Sequence, residues 1–188
     1  SDNVEMLESI TVTEDHIYLT STIYSLSEDN NVWLVDSANL MSPEALSFEV
    51  INQGASQIIR LQNNDSRTLI DYVSFTTTGS LVLSDLAVDA QGNIYATGYV
   101  SGTVDLDPGS DVHAVQALSM STAPFVLSLD DSLAFRWSQH TQSTGVFPTH
   151  VVATQDWDGN PRIIIGGAFE GVEVDFDPSD NTELYTSD

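Results

Sequence analysis

The chain has 188 residues and a formal net charge of −24, from 28 acids against 4 bases, and every base is an arginine: Arg60, Arg67, Arg136 and Arg162. So strong an acidic excess argues against binding nucleic acid or inserting into an anionic membrane, because no basic patch is available to neutralise phosphates. It favours cations: self-repulsion on this scale is relieved by bound divalent ions or by high ionic strength, which points to a calcium-rich extracellular setting or a salt-loving source.

A hydrophobic fraction of 41% with aromatics spread along the chain argues for a folded protein. The length suits one substantial domain or two small ones, and one repetitive domain over 1–188 is the expectation. Zero cysteines exclude a disulfide, a thiolate metal site and a cysteine nucleophile. No apolar run approaches the ~20 residues that cross a bilayer. The start, "SDNVEMLESI", lacks the layout of a secretion signal, so either the protein is cytoplasmic or its signal lies outside this chain.

Taken in chain order, "ITVTEDHIYLTSTIYS" (10–25) reads as two strands, with His16, Ile17 and Tyr18 standing where Asn93, Ile94 and Tyr95 stand later. A longer segment, 26–54, follows. Within it "SPEALSFEV" (42–50) has a helix-like start, with Ser42 as N-cap and Pro43 at the first position, good for one or two turns. "ASQIIRLQNNDSRTLIDYVSF" (55–75) predicts a hairpin, and "TTTGS" (76–80) a linker. The pattern then repeats more clearly. "LAVDAQGNIYATGYVSGTVDLDP" (86–108) gives two strands around a Gly-Asn turn, 101–122 is the longer segment, and "APFVLSLDDSLAFRWSQH" (123–140) is the second hairpin, in which Phe125, Leu127 and Leu129 share one face. After "GVF" (145–147), read as another linker, "VVATQDWDGNPRIIIGGAFEGVEVDFDP" (151–178) opens a third copy, with Asp175 at an offset of 70 from Asp105. The chain reaches "ELYTSD" where strands matching 123–140 would begin.

Four-stranded units repeated in this way predict an all-β fold of β-propeller-like repeats, about two and a half blades: 5–78, 81–143 and a partial third at 148–188. Such a set is incomplete as a ring and reads as part of a longer protein, an open arc, or one part of an assembly. The run "LAVDAQGNIYATGYVSGTVDLDPGSD…PFVLSLDDSLAFRW" resembles the bacterial β-propeller repeat known as SBBP, over 86–137 well, 151–188 fairly and 10–75 faintly. The resemblance implies a secreted or surface-attached module in a large protein. Two departures stand out: Ser128 replaces the repeat's usual lysine, and the first copy reads "WLVDSAN", in which Asp36 matches the first Asp of a pair and Ala38 replaces the second.

The candidate site is the repeated D-x-D-P. Residues two apart on an extended segment project to one side, so Asp105 with Asp107, and Asp175 with Asp177, can aim two carboxylates at one point. Pro108 and Pro178 favour that extended geometry. Calcium suits such a pair, with Asp111 and Asp180 just downstream as further ligands. The plain alternative is a turn in which each Asp accepts local backbone N–H bonds. "DWDGN" places Asp156 and Asp158 like the opening of a calcium loop, but position twelve is Gly167 and not a glutamate, and the matching "DAQGN" favours a hairpin turn. His16, His113, His140 and His150 lack metal spacing, though His140 and His150 flank one junction and are candidates to meet. The scattered glycines make no phosphate loop, and no serine sits in a nucleophile elbow.

These observations lead to a non-catalytic extracellular or cell-surface module for adhesion, ligand binding or spacing, stabilised by calcium. Its partners would be a protein or glycan at a surface, met by Tyr99, Trp33 or Trp157 if exposed, or remaining blades of the same protein. The alternatives are a fragment of a carbohydrate-active propeller enzyme, with two carboxylates roughly 5 to 10 Å apart, and a subunit that self-associates through an open blade edge.

Overall fold

The computed structural model describes residues 5–23, 31–34, 44–47, 56–64, 67–75, 77–117, 122–141, 145–171, 174–175 and 183–187. Those residues are all-β, with no helix among them, and no helix is long and apolar enough to cross a membrane. Strands β1 (Glu5–Val12) and β2 (His16–Ile23) are followed by a small antiparallel pair, β3 (Asn31–Leu34) and β4 (Glu44–Ser47), then by β5 (Ser56–Gln62) and β6 (Leu69–Phe75). β1, β2, β5 and β6 form one antiparallel sheet in that order. The arrangement then repeats. β7 (Ser80–Val88) and β8 (Ile94–Ser101) lead to the small pair β9 (Thr103–Asp105) and β10 (Ala114–Gln116), then to β11 (Thr122–Leu129) and β12 (Phe135–His140), and the second sheet runs β7-β8-β11-β12. A third copy begins with the hairpin β13 (Val146–Gln155) and β14 (Pro161–Phe169), followed by the small pair β15 (Val174–Asp175) and β16 (Leu184–Tyr185). None of these sheets closes on itself.

Two expectations fail. Glu44–Ser47, inside the segment with a helix-like start, is the strand β4, whose Ala45 faces Trp33 of β3 in the ladder; the N-terminal proline signal is local, and cross-strand pairing overrides it. The rest of 42–50, and Asp36 and Ala38, lie outside the described residues. The linker reading also fails at 145–147, which is largely strand, whereas of 77–80 only Ser80 is strand. Ser80 opens β7, Thr77 bridges to Val104, and Val146 and Phe147 belong to β13, with Gly145 at φ 77° turning the chain into it.

The first strand of each unit carries a β-bulge at the same place. The register slips between Leu7 and Ser9 opposite Ser21 and Thr20, between Leu83 and Asp85 opposite Gly98 and Thr97, and between Pro148 and His150 opposite Gly167 and Gly166. A bulge sharpens twist and re-aims the side chain beside it. Two of the three bulges are faced by glycine for a steric reason: a Cβ on Gly98 would stand 1.8 Å from the Val82 carbonyl oxygen, and one on Gly167 2.5 Å from that of Phe147.

The main core lies between the first two sheets. Tyr18, Ile58 and Phe75 of the first meet Leu83, Phe125, Leu127 and Leu129 of the second, and Val104 and Val115 of the small β9–β10 pair join the same cluster with Leu106, just after β9. β7 lies against both β1 and β13, so the three first strands stand side by side. Polar ties fix that stack. The Asp85 carboxylate, turned by its bulge, accepts the Ser9 hydroxyl through Oδ1 at 2.6 Å and the Val151 backbone N–H through Oδ2 at 2.9 Å. Thr11 donates to the Leu86 carbonyl and Ser56 to the Leu81 carbonyl. Arg60 of β5 forks onto Asp71 and sends Nη1 to the carbonyl of Asp131, in the turn between β11 and β12.

Hydrogen bonds to a charged group contribute about 1.5–3 kcal/mol each, and Asp85 makes two across three units. Asp85→Ala is therefore expected to lower unfolding free energy by about 2–4 kcal/mol in urea melts, and Ser9→Ala by about 1 kcal/mol, with non-additive effects in the double variant. Asp85→Ala melting at the wild-type midpoint would remove this tie from the account.

Candidate functional site

The acids gather at strand ends, and their geometry is shared. In the β7–β8 turn, Asp89 Oδ1 accepts the N–H groups of Gln91 and Asn93, each at 2.9 Å, while Oδ2 accepts the Asn93 amide at 2.8 Å and the Tyr95 hydroxyl at 2.9 Å. In the β11–β12 turn, Asp130 Oδ1 accepts from Ser132 N at 2.8 Å, Ser132 Oγ at 2.6 Å and Ala134 N at 3.0 Å. In the β13–β14 turn, Asp156 Oδ1 accepts from Asp158 N and Asn160 N, each at 2.9 Å, and its Oδ2 lies 3.6 Å from Arg162 Nε. The fourth residue of each turn has positive φ: Gly92 at 82°, Leu133 at 63° and Gly159 at 81°. Leu133 tolerates that left-handed backbone because its side chain is buried in the main core; an αL residue costs roughly 1–2 kcal/mol, and burying a leucine contributes about 1.5–3.

The D-x-D-P loop follows the same logic. "VDLDP" alternates, with Val104 and Leu106 fully buried and Asp105 and Asp107 on the other side. Asp105 Oδ1 accepts the N–H of Asp107 at 3.0 Å and of His113 at 2.8 Å, so it ties the loop back to the strand entering β10. Asp107 Oδ1 accepts the Gly109 N–H at 2.7 Å across Pro108. One oxygen of each carboxylate thus serves the backbone. Asp107 and Asp111 share the lining of a pocket of about 290 Å³ with Ser110 and Ser132, and Asp105 is not part of that lining. In the third copy Asp175 pairs through its backbone with Leu184, as Asp105 pairs with Ala114. Asp177 and Asp180 lie outside the described residues, as do the side chains of Asp175 and Trp33. Asp156 and Asp158 occupy the β13–β14 turn. Among the described residues no three His, Cys, Asp or Glu side chains converge in metal-binding geometry.

The remaining candidates separate. Trp157 is fully exposed at the tip of the β13–β14 turn, and Tyr99 packs edge-on against Phe147 with ring centroids 6.4 Å apart. His113 stacks on Phe135 at 4.7 Å. His150 shares a 2.8 Å hydrogen bond with Thr149, whereas His140 lines an apolar groove of about 390 Å³ between the second sheet and β14. Burial, together with the nearby His113, keeps the His140 imidazolium below its ordinary pKa. Two features escaped the reading of the sequence: this groove, and Asp85. The signal for Asp85 was available, a lone acid inside the apolar run "LVLSDLAV".

Comparison with known proteins finds no matching family, no matching curated protein and no matching solved structure.

Burial pushes the Asp89 carboxyl up, but the donors from Asn93, Tyr95 and Gln91 outweigh it and hold its pKa below the ordinary aspartate value. The Ser132 hydroxyl and the Ala134 N–H lower Asp130, and the Asn160 amide lowers Asp156. A carboxyl depressed in the folded state stabilises above its unfolded pKa of about 3.9, and that contribution is lost as pH falls through the folded value. Protonation also relieves the overall self-repulsion, so the informative quantity is a difference. Relative to wild type, Asp89→Ala and Asp130→Ala are expected to be destabilised at pH 7 and to converge with it below about pH 3 in thermal melts. A gap that stays constant from pH 7 to pH 2 would refute the role given to these carboxylates.

Proposed function

We propose that the chain is a non-catalytic module of propeller-like blades, resembling the SBBP repeat, that serves adhesion, ligand binding or spacing outside the cell or at its surface. The observation that carries the reading is the side-by-side stacking of β1, β7 and β13, each bulged at the same place and each leading its own meander. First strands lining a common axis, with later strands further out, are what blades present. The acids support a scaffold as well: Asp85, Asp89, Asp105, Asp107, Asp130 and Asp156 all accept hydrogen bonds that organise backbone or join units.

Calcium belongs to the same proposal. Asp107 and Asp111 face one pocket beside two serines, and a cation there would relieve the repulsion of a chain at −24. The ion would brace the loop that Asp105 already ties to β10. Exposed Trp157 offers a flat apolar contact for a glycan or protein at a surface.

In calcium chloride the melting temperature is expected to rise above that in sodium chloride of matched ionic strength, and Asp107→Asn with Asp111→Asn should abolish the difference. Equal gains in the two salts would replace the calcium site with general screening. A panel of polysaccharides incubated with the protein is expected to remain uncleaved. Cleavage that disappears on replacing a single carboxylate would overturn the non-catalytic reading in favour of a glycosidase or lyase.

A further inference from the structure

The third unit exposes what the first two bury. Ile17, Tyr18 and Leu19 of β2, and Ile94, Tyr95 and Ala96 of β8, occupy positions that Ile163, Ile164 and Ile165 occupy in β14, as the common bulge register requires. Tyr18 and Tyr95 are 3% and 4% exposed, but Ile164 is 59% exposed; Leu19 and Ala96 are at 0% and 1%, but Ile165 is at 45%. The cause is topological. β2 and β8 each have an antiparallel partner on both edges, β1 and β5 for one and β7 and β11 for the other, whereas β14 pairs with β13 alone among the described residues. Three consecutive isoleucines suit a strand covered on both faces.

Beside that open edge lies the groove of about 390 Å³. One wall is the face of the second sheet turned away from the first, with Thr97, Pro124 and Val126, and the other is β13–β14, with Pro148 and Ile165. Thr141 also lines it, and its buried Oγ1 has no hydrogen-bond partner among the described residues. Among the described residues no aspartate, glutamate or arginine contributes to the lining, in a chain with 28 acids. The corresponding place between the first and second sheets is filled by β11, which pairs with β8 and packs Phe125, Leu127 and Leu129 against Ile58 and Phe75.

We infer that this groove is a seat for an added β-strand: an extended, uncharged segment with apolar residues at alternate positions, pairing antiparallel with the edge of β14 beside Ile163–Ile165, which has no ladder partner among the described residues. Its side chains would enter the groove as those of β11 enter the space between the first two sheets. The main-chain ladder provides affinity, and the apolar wall selects the alternating pattern. The inference rests on the stacked-unit reading proposed above. It deepens that reading by naming the surface that takes an added strand and the chemistry of that strand.

The test uses the whole chain, labelled with nitrogen-15, and a peptide with the sequence of Thr122–Leu129 flanked by asparagines. Saturable shifts are expected at β14 amides and at Val126, with a peptide carrying Phe125→Asp and Leu127→Asp binding at least about tenfold more weakly. Ile165→Asp, at a half-exposed position, should lose peptide binding without a change in melting temperature. Absence of shifts at β14 up to the solubility limit would overturn the assignment. So would concentration-dependent dimers, by sedimentation, that protect β14 amides without peptide, because a second copy would then be the occupant. If Asp85→Ala still weakens the fold in either case, the stacked-unit reading survives and only the seat is lost; if it does not, both readings fall.

Discussion

Neighbouring units here are held in register by a charge placed where the fold can least do without its partners. A carboxylate inside a strand is costly unless every lone pair that loses water finds a donor. Asp85 resolves this with one oxygen on the Ser9 hydroxyl and the other on the Val151 N–H, so it satisfies itself only if units one and three flank unit two. The bulge makes this geometry available. In a regular strand the period of two would leave Asp85 on the sheet face that carries the buried Leu81 and Leu83; the extra residue between Leu83 and Asp85 turns it toward the adjacent first strands. Apolar packing between sheets tolerates sliding. A two-pronged hydrogen bond does not, and this is how a repeat of modest sequence identity fixes one stacking offset.

The acidic composition takes on a second meaning in this light. A chain at −24 experiences repulsion throughout, yet many of the described acids sit where the backbone leaves N–H groups without ladder partners: the ends of hairpins and the return of the D-x-D-P loop. Each such carboxylate accepts two or more donors, and this keeps Asp89, Asp130 and Asp156 ionised to lower pH than usual. The arginines are placed with the same economy. Arg60 uses its planar fork on Asp71 and a third nitrogen on the next sheet, and Arg136 reaches Ser128 and the hydroxyl of Tyr95. A lysine ammonium is a point donor and cannot bridge in that way.

Much of the architecture was legible because repetition is a long-range signal carried in local residues. The two hairpins at 55–75 and 123–140, the strand pair with its Asp-x-x-Gly-Asn turn, and the placing of longer segments between second and third strands all follow from alternation and turn chemistry. The small pairs inside those segments were not visible, since three-residue strands such as Thr103–Asp105 are too short to show a period. Pro43 suggested a helix because its φ suits a first helical turn, but that φ also suits the approach to a strand. The acidic pair was expected to aim both carboxylates at one point; Asp107 lines a pocket with Asp111, and Asp105 instead ties the loop to the strand entering β10. What the sequence could not reveal was which donors the carboxylates meet, because His113 N–H comes from eight residues away and the partner of Asp85 from the next unit. The bulges were hidden for a related reason: a single inserted residue in a strand looks the same as a loop drifting by one.

The open edge of β14 ties these threads together. In units one and two the second strand has a ladder on either side, and Tyr18, Leu19, Ile94 and Ala96 are buried. Ile163, Ile164 and Ile165 retain that composition where one ladder is present among the described residues. Apolar burial contributes about 25 cal/mol per Å², so leaving two isoleucines half in water forgoes on the order of 2 kcal/mol. Natural edges are usually blunted by charge or proline, and β14 has its one proline, Pro161, and its one arginine, Arg162, at the turn end and none further along. A strand with that sequence is suited to being covered. The order of units thus has a direction: the first strand of the second unit lies between those of the first and third, and Asp85 bonds to both.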